Sequence, residues 1–192
     1  MAMTTSEKIA AKARKLLASG GAEAVTMRKV AAGVGITPMA VYRHFADRDA
    51  LLTALADEGF AELAGRVALV KPTGKLATRL THFLDINLDF ALEKPRLFEL
   101  MFLSRREGSR KFPTDFKAGK SPTASPMADL VQEGMETGYF RPNDVWEIVF
   151  ETGALLQGLV MLYLGGRVDM SETQFRAFCH RSLQRYMHGI QK

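Results

Sequence analysis

The apolar residues of this chain recur at helical spacing wherever a pattern is clear, and no stretch alternates long enough to predict a β-strand. Ile9, Ala13 and Leu17 form the first apolar face, and Thr4 followed by Glu7 predicts a capping box at its start. Further helices are predicted over 27–32, 38–45, 48–70, 75–93, 95–106, 127–137, 143–164 and 171–189, with a loop over 107–126, where three prolines and two glycines fall. The pattern therefore predicts an all-α fold.

The composition allows this fold to form without cross-links. A chain of 192 residues, 47% hydrophobic and 24% charged, can bury a core without disulfides or a structural metal. Its one cysteine, Cys179, excludes an intramolecular disulfide and a cysteine-based zinc finger. The first eight residues lack the apolar core of a signal peptide. The most apolar stretch, 145–164, carries Glu147, Glu151 and Gln157, which predicts a buried helix rather than a membrane span. We therefore expect a cytoplasmic protein with no membrane partner.

Basic charge is concentrated at the start of the chain. Residues 1–50 contain eight Lys and Arg against four acids, whereas residues 51–192 contain eighteen against seventeen. The first quarter therefore suits a polyanion and the remainder does not.

A helix-turn-helix pattern lies within this basic quarter. Thr26 and Thr37 are N-cap candidates, Pro38 follows at a first helical position, and a glycine turn over 33–35 separates the two short helices. Small residues for the crossing and apolar residues facing inward are Ala31, Ala32, Ala40, Val30, Val34, Ile36, Val41 and Phe45. Residues predicted to face outward are Thr37, Met39, Tyr42, Arg43 and His44, a mixture that suits base edges and phosphates. Such helix pairs also occur in all-helical proteins that bind no DNA.

The segment from Thr26 to Leu51 closely resembles the DNA-binding signature of the TetR family of transcriptional regulators. The Gly-Val-Gly turn, the Val-Tyr-x-His-Phe core and the following x-x-basic-x-x-Leu occur together. Lys29 stands where an acid is common, and Arg48 where lysine is usual; both keep or add positive charge. The resemblance implies a homodimeric regulator, more often a repressor than an activator, whose N-terminal three-helix domain binds a near-palindromic operator. A helical C-terminal domain would bind a small molecule that releases the DNA.

The resemblance also implies roles for individual residues. Thr37, Pro38 and Met39 open the recognition helix, where family members contact bases or backbone. Tyr42 and His44 align with phosphate-contacting positions, and Arg43 lies beside them. Further phosphate-contacting positions align with Thr26, Arg28 and Arg48.

Dimerisation is predicted through the helices at 143–164 and 171–189, because the resemblance implies that these two helices pair with the same two of a second subunit. Gly153, Ala154 and Gly158 form a smooth face that suits a close helix approach. The alternative is that both helices belong to an intramolecular core.

The remaining length suits an effector domain. We predict a DNA-binding domain over 1–50 and an effector-binding and dimerisation domain over 51–192. Large apolar residues and a few polar ones are expected to line a cavity for an apolar or amphipathic molecule. These candidates are His82, Phe83, Ile86, Asn87, Phe90, Phe98, Met101, Phe102, Met135, Trp146 and Gln157.

A rival hypothesis is an all-helical metal-dependent enzyme. His82, Asp85 and Asp89 recur at i, i+3 and i+7 and so share one helix face, as a metal site or an acid–base pair requires. Glu147 and Glu151 lie one turn apart on another helix. No Glu-x-x-His pair supports the metal site, so we expect a regulator with no catalytic residue, metal or cofactor.

Overall fold

The computed structural model describes residues 3–69, 73–106 and 108–192, and these residues contain helices but no strand. The ten helices are α1 (Thr5–Ala24), α2 (Met27–Val34), α3 (Pro38–Tyr42), α4 (Arg48–Val67), α5 (Leu76–Glu93), α6 (Pro95–Phe102), α7 (Thr114–Lys117), α8 (Ser125–Glu136), α9 (Val145–Leu164) and α10 (Glu172–Ile190). The predicted all-α fold is confirmed.

The chain forms two compact units. The first comprises Met1–Glu62 and Ala91–Ser109, and the second comprises Leu63–Phe90 and Arg110–Lys192. The domain boundary expected at residue 50 falls in the first turn of α4, and the first unit includes α6 as well as the three N-terminal helices. The functional division into 1–50 and 51–192 stays a prediction, because compactness does not report function.

The first unit is built on α1, whose apolar face is buried as the spacing predicts. Ile9 and Ala13 are fully buried, and α1 packs against both α2 and α6. The α4 and α6 helices also approach closely: a Cβ placed on Gly59 would lie 2.5 Å from the sulfur of Met101 and 3.2 Å from Leu97. Only glycine fits at this contact without displacing side chains.

The second unit has a core formed by α5, α8, α9 and α10. Its buried residues are Leu80, Met127, Ala128, Leu130, Val131, Phe140, Ile148, Val149 and Met187. A Cβ placed on Gly134 would lie 2.3 Å from the ring of Phe140, so the α8 backbone touches that ring directly. Arg79 and Glu133 join α5 to α8 through two hydrogen bonds of 2.7 Å.

Several predicted helix bounds are corrected. The predicted end of the first helix at Gly20-Gly21 is only an interruption, since both glycines leave helical geometry and one more turn continues to Ala24. The helix predicted to reach residue 106 ends at Phe102 instead, where the Arg106 side chain donates to the Met101 carbonyl. The loop predicted over 107–126 contains α7 and the start of α8.

The prediction that 145–164 forms a buried helix is wrong. The α9 helix is long and apolar enough to cross a bilayer by length and composition, yet only 22% of its most apolar stretch is buried in the chain. Phe150 and Leu162 are 45% and 46% exposed. The physical reason is that α9 packs mainly against α8 and α10, and Phe150 also stacks on Phe112, which leaves an exposed stripe that includes Ala154, Gly158 and Leu162. Core helices of soluble proteins meet the same length and composition criteria.

Candidate DNA-binding surface

Local sequence sets the ends of α2 and α3. The hydroxyls of Thr26 and Thr37 each accept a hydrogen bond of 3.2 Å from the backbone N–H three residues on, as N-caps do. Pro38 occupies the first turn of α3. Gly35 ends α2 with a φ of +76°, a left-handed conformation that glycine adopts most cheaply. The predicted helix-turn-helix is therefore present.

The glycine turn is shorter than predicted. Gly33 belongs to α2, and its missing side chain serves a close contact instead of a left-handed conformation. A Cβ placed on Gly33 would lie 2.0 Å from Cε and 2.6 Å from Cδ of Lys12, so the aliphatic stem of this α1 lysine lies across α2. The charge pattern of α1 marked Lys12 as basic but gave no sign of this packing.

Most of the residues predicted to face inward do so. Val30 and Val41 are fully buried and Ala31 is 1% exposed. Val34, Ile36, Ala40 and Phe45 are half-buried. The prediction that Ala32 lies at the helix crossing is wrong, because Ala32 is exposed, whereas its neighbour Ala31 is buried.

The outward residues form one exposed set on and beside α3. Met39 is 68% exposed and Tyr42 46% exposed. The other exposed members are Arg28, Thr37, Pro38, Arg43 and His44. Thr26 is half-buried and its hydroxyl is engaged as a cap. The surface combines hydroxyl donors, cations and one large apolar side chain, which together can contact phosphates, base edges and a thymine methyl group.

The structure places Arg48 apart from this set. Its guanidinium donates to the carbonyl oxygens of Val25 and Ala22, at 2.8 and 2.7 Å, and lies 3.4 Å from the carboxylate of Glu23. Its side chain is 35% exposed. Two of its nitrogens are therefore engaged by the backbone at the end of α1.

The expected cavity residues are divided between the two units. Phe98, Met101 and Phe102 lie in the first unit. There the Phe102 ring packs against Phe98, with centroids 4.7 Å apart, and against Phe60, with centroids 5.3 Å apart. These aromatic residues belong to the core of the first unit.

The other eight expected cavity residues lie in the second unit. Phe83, Met135 and Trp146 pack against its core. Phe90 is fully buried, and the Asn87 amide is engaged by a hydrogen bond of 2.8 Å to the Phe83 carbonyl. His82 is exposed, whereas Ile86 and Gln157 are half-buried.

One shallow groove of about 420 Å³ lies where α8 meets the start of α9. Its lining residues are Ala128, Asp129, Gln132, Asp144, Val145 and Trp146. Trp146 is the one expected cavity residue among them.

The carboxylates proposed for a metal site pair with bases instead. Asp85 lies 2.8 Å from the Nε2 atom of His180, and Asp89 lies 2.6 Å from the guanidinium of Arg176. Both bases belong to α10. The described parts of the chain contain no group of three or more His, Cys, Asp or Glu that could hold a metal ion. The geometry therefore does not favour the metal-dependent enzyme.

Two side chains of the second unit have a raised pKa, and their burial explains both shifts. Burial raises the pKa of the Cys179 thiol to about 11, so this 1%-exposed side chain stays protonated at neutral pH. Burial, with a hydrogen bond of 2.5 Å to Glu151, raises the pKa of Tyr186. Neither group has the lowered pKa of an activated nucleophile.

A capped helix pair whose second helix exposes Met39 and Tyr42, with the exposed Arg43 and His44 directly after it, forms a helix-turn-helix of the kind that suits DNA. Residues 4–55 match the family described as bacterial regulatory proteins, tetR family. Residues 80–186, more than half of the chain, match the tetracyclin repressor-like C-terminal domain. The chain belongs to the TetR family and is a transcriptional regulator with an N-terminal DNA-binding region and a C-terminal ligand-binding region.

Solved structures share this fold over nearly the whole chain. A protein of unknown function from Rhodococcus sp. RHA1 has a TM-score of 0.81 and 22% identity, with 100% of this chain and 97% of that chain covered. A tetR-family regulatory protein from Rhodococcus RHA1 has a TM-score of 0.73 and 19% identity, with 99% and 98% covered. The regulator FadR from Bacillus subtilis, solved with stearoyl-CoA, has a TM-score of 0.75 and 15% identity, with 95% and 98% covered. No curated protein sequence matches the chain.

Proposed function

We propose that this regulator is a repressor that binds a near-palindromic operator as a homodimer and is released by a small effector. The exposed surface of α3 carries the proposal. Met39 and Tyr42 are large side chains left open to solvent beside Arg43 and His44, with no structural task that explains their exposure. A major groove provides partners for all of them.

The DNA contacts divide into two kinds. We assign base and backbone contacts to Thr37, Pro38 and Met39, at the start of the recognition helix. We assign phosphate contacts to Thr26, Arg28, Tyr42, Arg43 and His44. Backbone N–H groups at the start of α2 add a further attraction for phosphate.

The open face of α9 supports the homodimer. A Cβ placed on Gly158 would meet nothing within 4 Å, and one on Gly153 would meet only the Gln157 amide, at 3.8 Å. Ala154 is exposed on the same helix, as are Phe150 and Leu162. Glu147 and Glu151 are also exposed on α9, and Glu151 accepts a hydrogen bond from the Tyr186 hydroxyl. The small and apolar residues of this face would be covered when the same helix of a second subunit packs on it, with α10 completing a four-helix bundle.

The effector is proposed to be apolar or amphipathic and to bind in the second unit. Phe83, Ile86, Met135 and Trp146 offer apolar contacts there, and His82, Asn87 and Gln157 offer polar ones. An amphipathic effector is supported by FadR from Bacillus subtilis, which shares this fold and is solved in complex with stearoyl-CoA. Release requires that the effector prefer the conformation with the lower operator affinity, so operator DNA must weaken effector binding by the same factor.

Catalysis is not part of the proposal. The engaged carboxylates on α5 and the protonated thiol of Cys179 support a regulator that binds its effector without turning it over. We further propose that the protein acts in the cytoplasm, where its operator is accessible.

Titration of labelled duplexes by fluorescence anisotropy tests the assignment of contacts. Arg43→Met should weaken binding to every duplex about equally and reduce the slope of log K against log salt by about 1 per subunit, or about 2 for the dimer. Met39→Ala should change base preference with the slope unchanged. Arg167→Met, an exposed arginine between α9 and α10, is the matched control and should leave binding as it is. Equal salt slopes for Arg43→Met and Arg167→Met would show that the surface on and beside α3 does not contact DNA phosphates.

A further inference from the structure

Arg48 links the two ends of the helix-turn-helix. Its Nε atom donates to the carbonyl of Val25 at 2.8 Å, and one terminal nitrogen donates to the carbonyl of Ala22 at 2.7 Å. Val25 directly precedes Thr26, the N-cap of α2, and Arg48 begins α4 shortly after α3 ends. These hydrogen bonds therefore close the segment that contains α2 and α3 into a loop.

The end of α1 is suited to receive an arginine from elsewhere. Its last turn contains no basic residue, and Gly20 and Gly21 interrupt its helical geometry just before that turn. The last carbonyls of a helix lack intrahelical donors and carry partial negative charge. Arg48 supplies both the donors and the positive charge. The terminal nitrogen that donates to the Ala22 carbonyl also lies 3.4 Å from the carboxylate of Glu23.

The geometry requires the fork of an arginine. Two different nitrogens reach two carbonyls that are three residues apart in the chain. A lysine has the same charge but only one nitrogen, so it cannot hold both carbonyls with the same fixed geometry.

We infer that Arg48 is a positioning residue, which holds α2 and α3 against α1 and α4, and does not serve as a phosphate ligand. The inference rests on the proposed operator-binding surface. Base contacts through Thr37 and Met39 depend on a fixed helix orientation, whereas phosphate contacts through flexible side chains tolerate small shifts. Loss of Arg48 must therefore reduce specific binding more than non-specific binding.

Two variants separate positioning from phosphate contact. Arg48→Lys keeps the charge and removes the fork, and Arg48→Met removes both. We expect each to weaken binding to the preferred duplex by about tenfold, since a hydrogen bond to a charged donor contributes on the order of that factor. Binding to a random duplex should stay within about twofold, and the salt slope should stay that of the wild type.

A stability control separates positioning from general destabilisation. Val131→Ala removes two methyl groups from the core of the second unit, whereas α2 and α3 belong to the first. It should lower the unfolding temperature and leave the ratio of specific to non-specific affinity unchanged, both measured well below that temperature. An equal change of this ratio in Val131→Ala and Arg48→Lys would overturn the inference.

If Arg48 contacts phosphate instead, the two Arg48 variants give a different pattern of binding. In that case Arg48→Lys would bind like the wild type, and Arg48→Met would weaken binding to both duplexes together and reduce the salt slope by about 1 per subunit, or about 2 for the dimer. If no duplex is preferred, the proposed function is refuted, but the inference about Arg48 can still be tested. Amide hydrogen exchange of the DNA-free protein provides that test. Amides of α2 and α3 should exchange several-fold faster in Arg48→Lys while those of α8 do not change; unchanged exchange in α2 and α3 would overturn the inference.

Discussion

The two compact units expose different chemistry. In the first unit, the exposed residues on and beside α3 are the polar or basic Thr37, Tyr42, Arg43 and His44 with the apolar Pro38 and Met39, and α3 itself is only five residues long. In the second unit, the exposed residues of the 20-residue α9 include Phe150 and Leu162 besides Glu147 and Glu151, and a Cβ on Gly158 would meet nothing within 4 Å. The first surface suits a charged, hydrated partner and the second an apolar one.

The α3 and α9 helices are held by different kinds of packing. The short α3 cannot be stable alone, so its N-cap and its packing against α2 must fix it. The 20-residue α9 packs against α8 and α10, while Ala154, Gly158 and Leu162 stay exposed on it. A charge on α9 and a lost hydroxyl on α3 should therefore have effects of very different size.

The largest effect is expected from Ala154→Glu on the open face of α9. A carboxylate there would be desolvated in the proposed dimer, so light scattering should show monomers. Because two linked DNA-binding domains bind an operator far more tightly than one, operator affinity should fall by about 100-fold or more.

Ala77→Glu is the matched control, since Ala77 is an exposed alanine on α5. It should leave the dimer and the operator affinity unchanged. If Ala154→Glu remains dimeric at micromolar concentration, the assignment of α9 to the interface is wrong.

An intermediate effect is expected from Gly134→Ala in the core of the second unit. The added methyl group would collide with Phe140, and overpacking of this kind costs about 1–3 kcal/mol in the free energy of unfolding. Urea unfolding followed by circular dichroism measures the loss.

Gly65→Ala provides the comparison, because Gly65 lies in α4 and a Cβ there would meet nothing within 4 Å. This variant should gain roughly 0.5–1 kcal/mol from helix propensity. A gain of the same size in Gly134→Ala would show that Phe140 can move away at no cost.

The smallest effect is expected from Tyr42→Phe on α3. Loss of one hydrogen bond to phosphate should weaken binding by about 1 kcal/mol per subunit, on specific and non-specific duplexes alike. Tyr163→Phe removes a hydroxyl from α9 and should leave DNA affinity unchanged. A loss confined to the preferred duplex would mean that Tyr42 contacts a base.

The sequence predicted the first unit more fully than the second. The caps at Thr4, Thr26 and Thr37 and the exposure of Met39 and Tyr42 follow from signals within a few residues, and the structure confirms them. The role of Arg48 was not predictable, because its partners are 23 and 26 residues away in the chain.

The second unit depends on contacts between distant segments. The spacing of His82, Asp85 and Asp89 correctly placed both carboxylates on one face, but their partners Arg176 and His180 lie on α10. The expected cavity residues share apolar character, which does not distinguish a core from a binding site. For the same reason, the apolar pattern of α9 predicted burial within the chain, where the structure leaves a face open.

Selection of duplexes from a random pool, followed by light scattering of the purified complex, tests the central claim most directly. The account predicts enrichment of two inverted half-sites, about one helical turn or a multiple apart, with two chains bound per duplex. A pool that remains random after repeated selection at moderate salt, or a single chain bound to one unrepeated site, would contradict it.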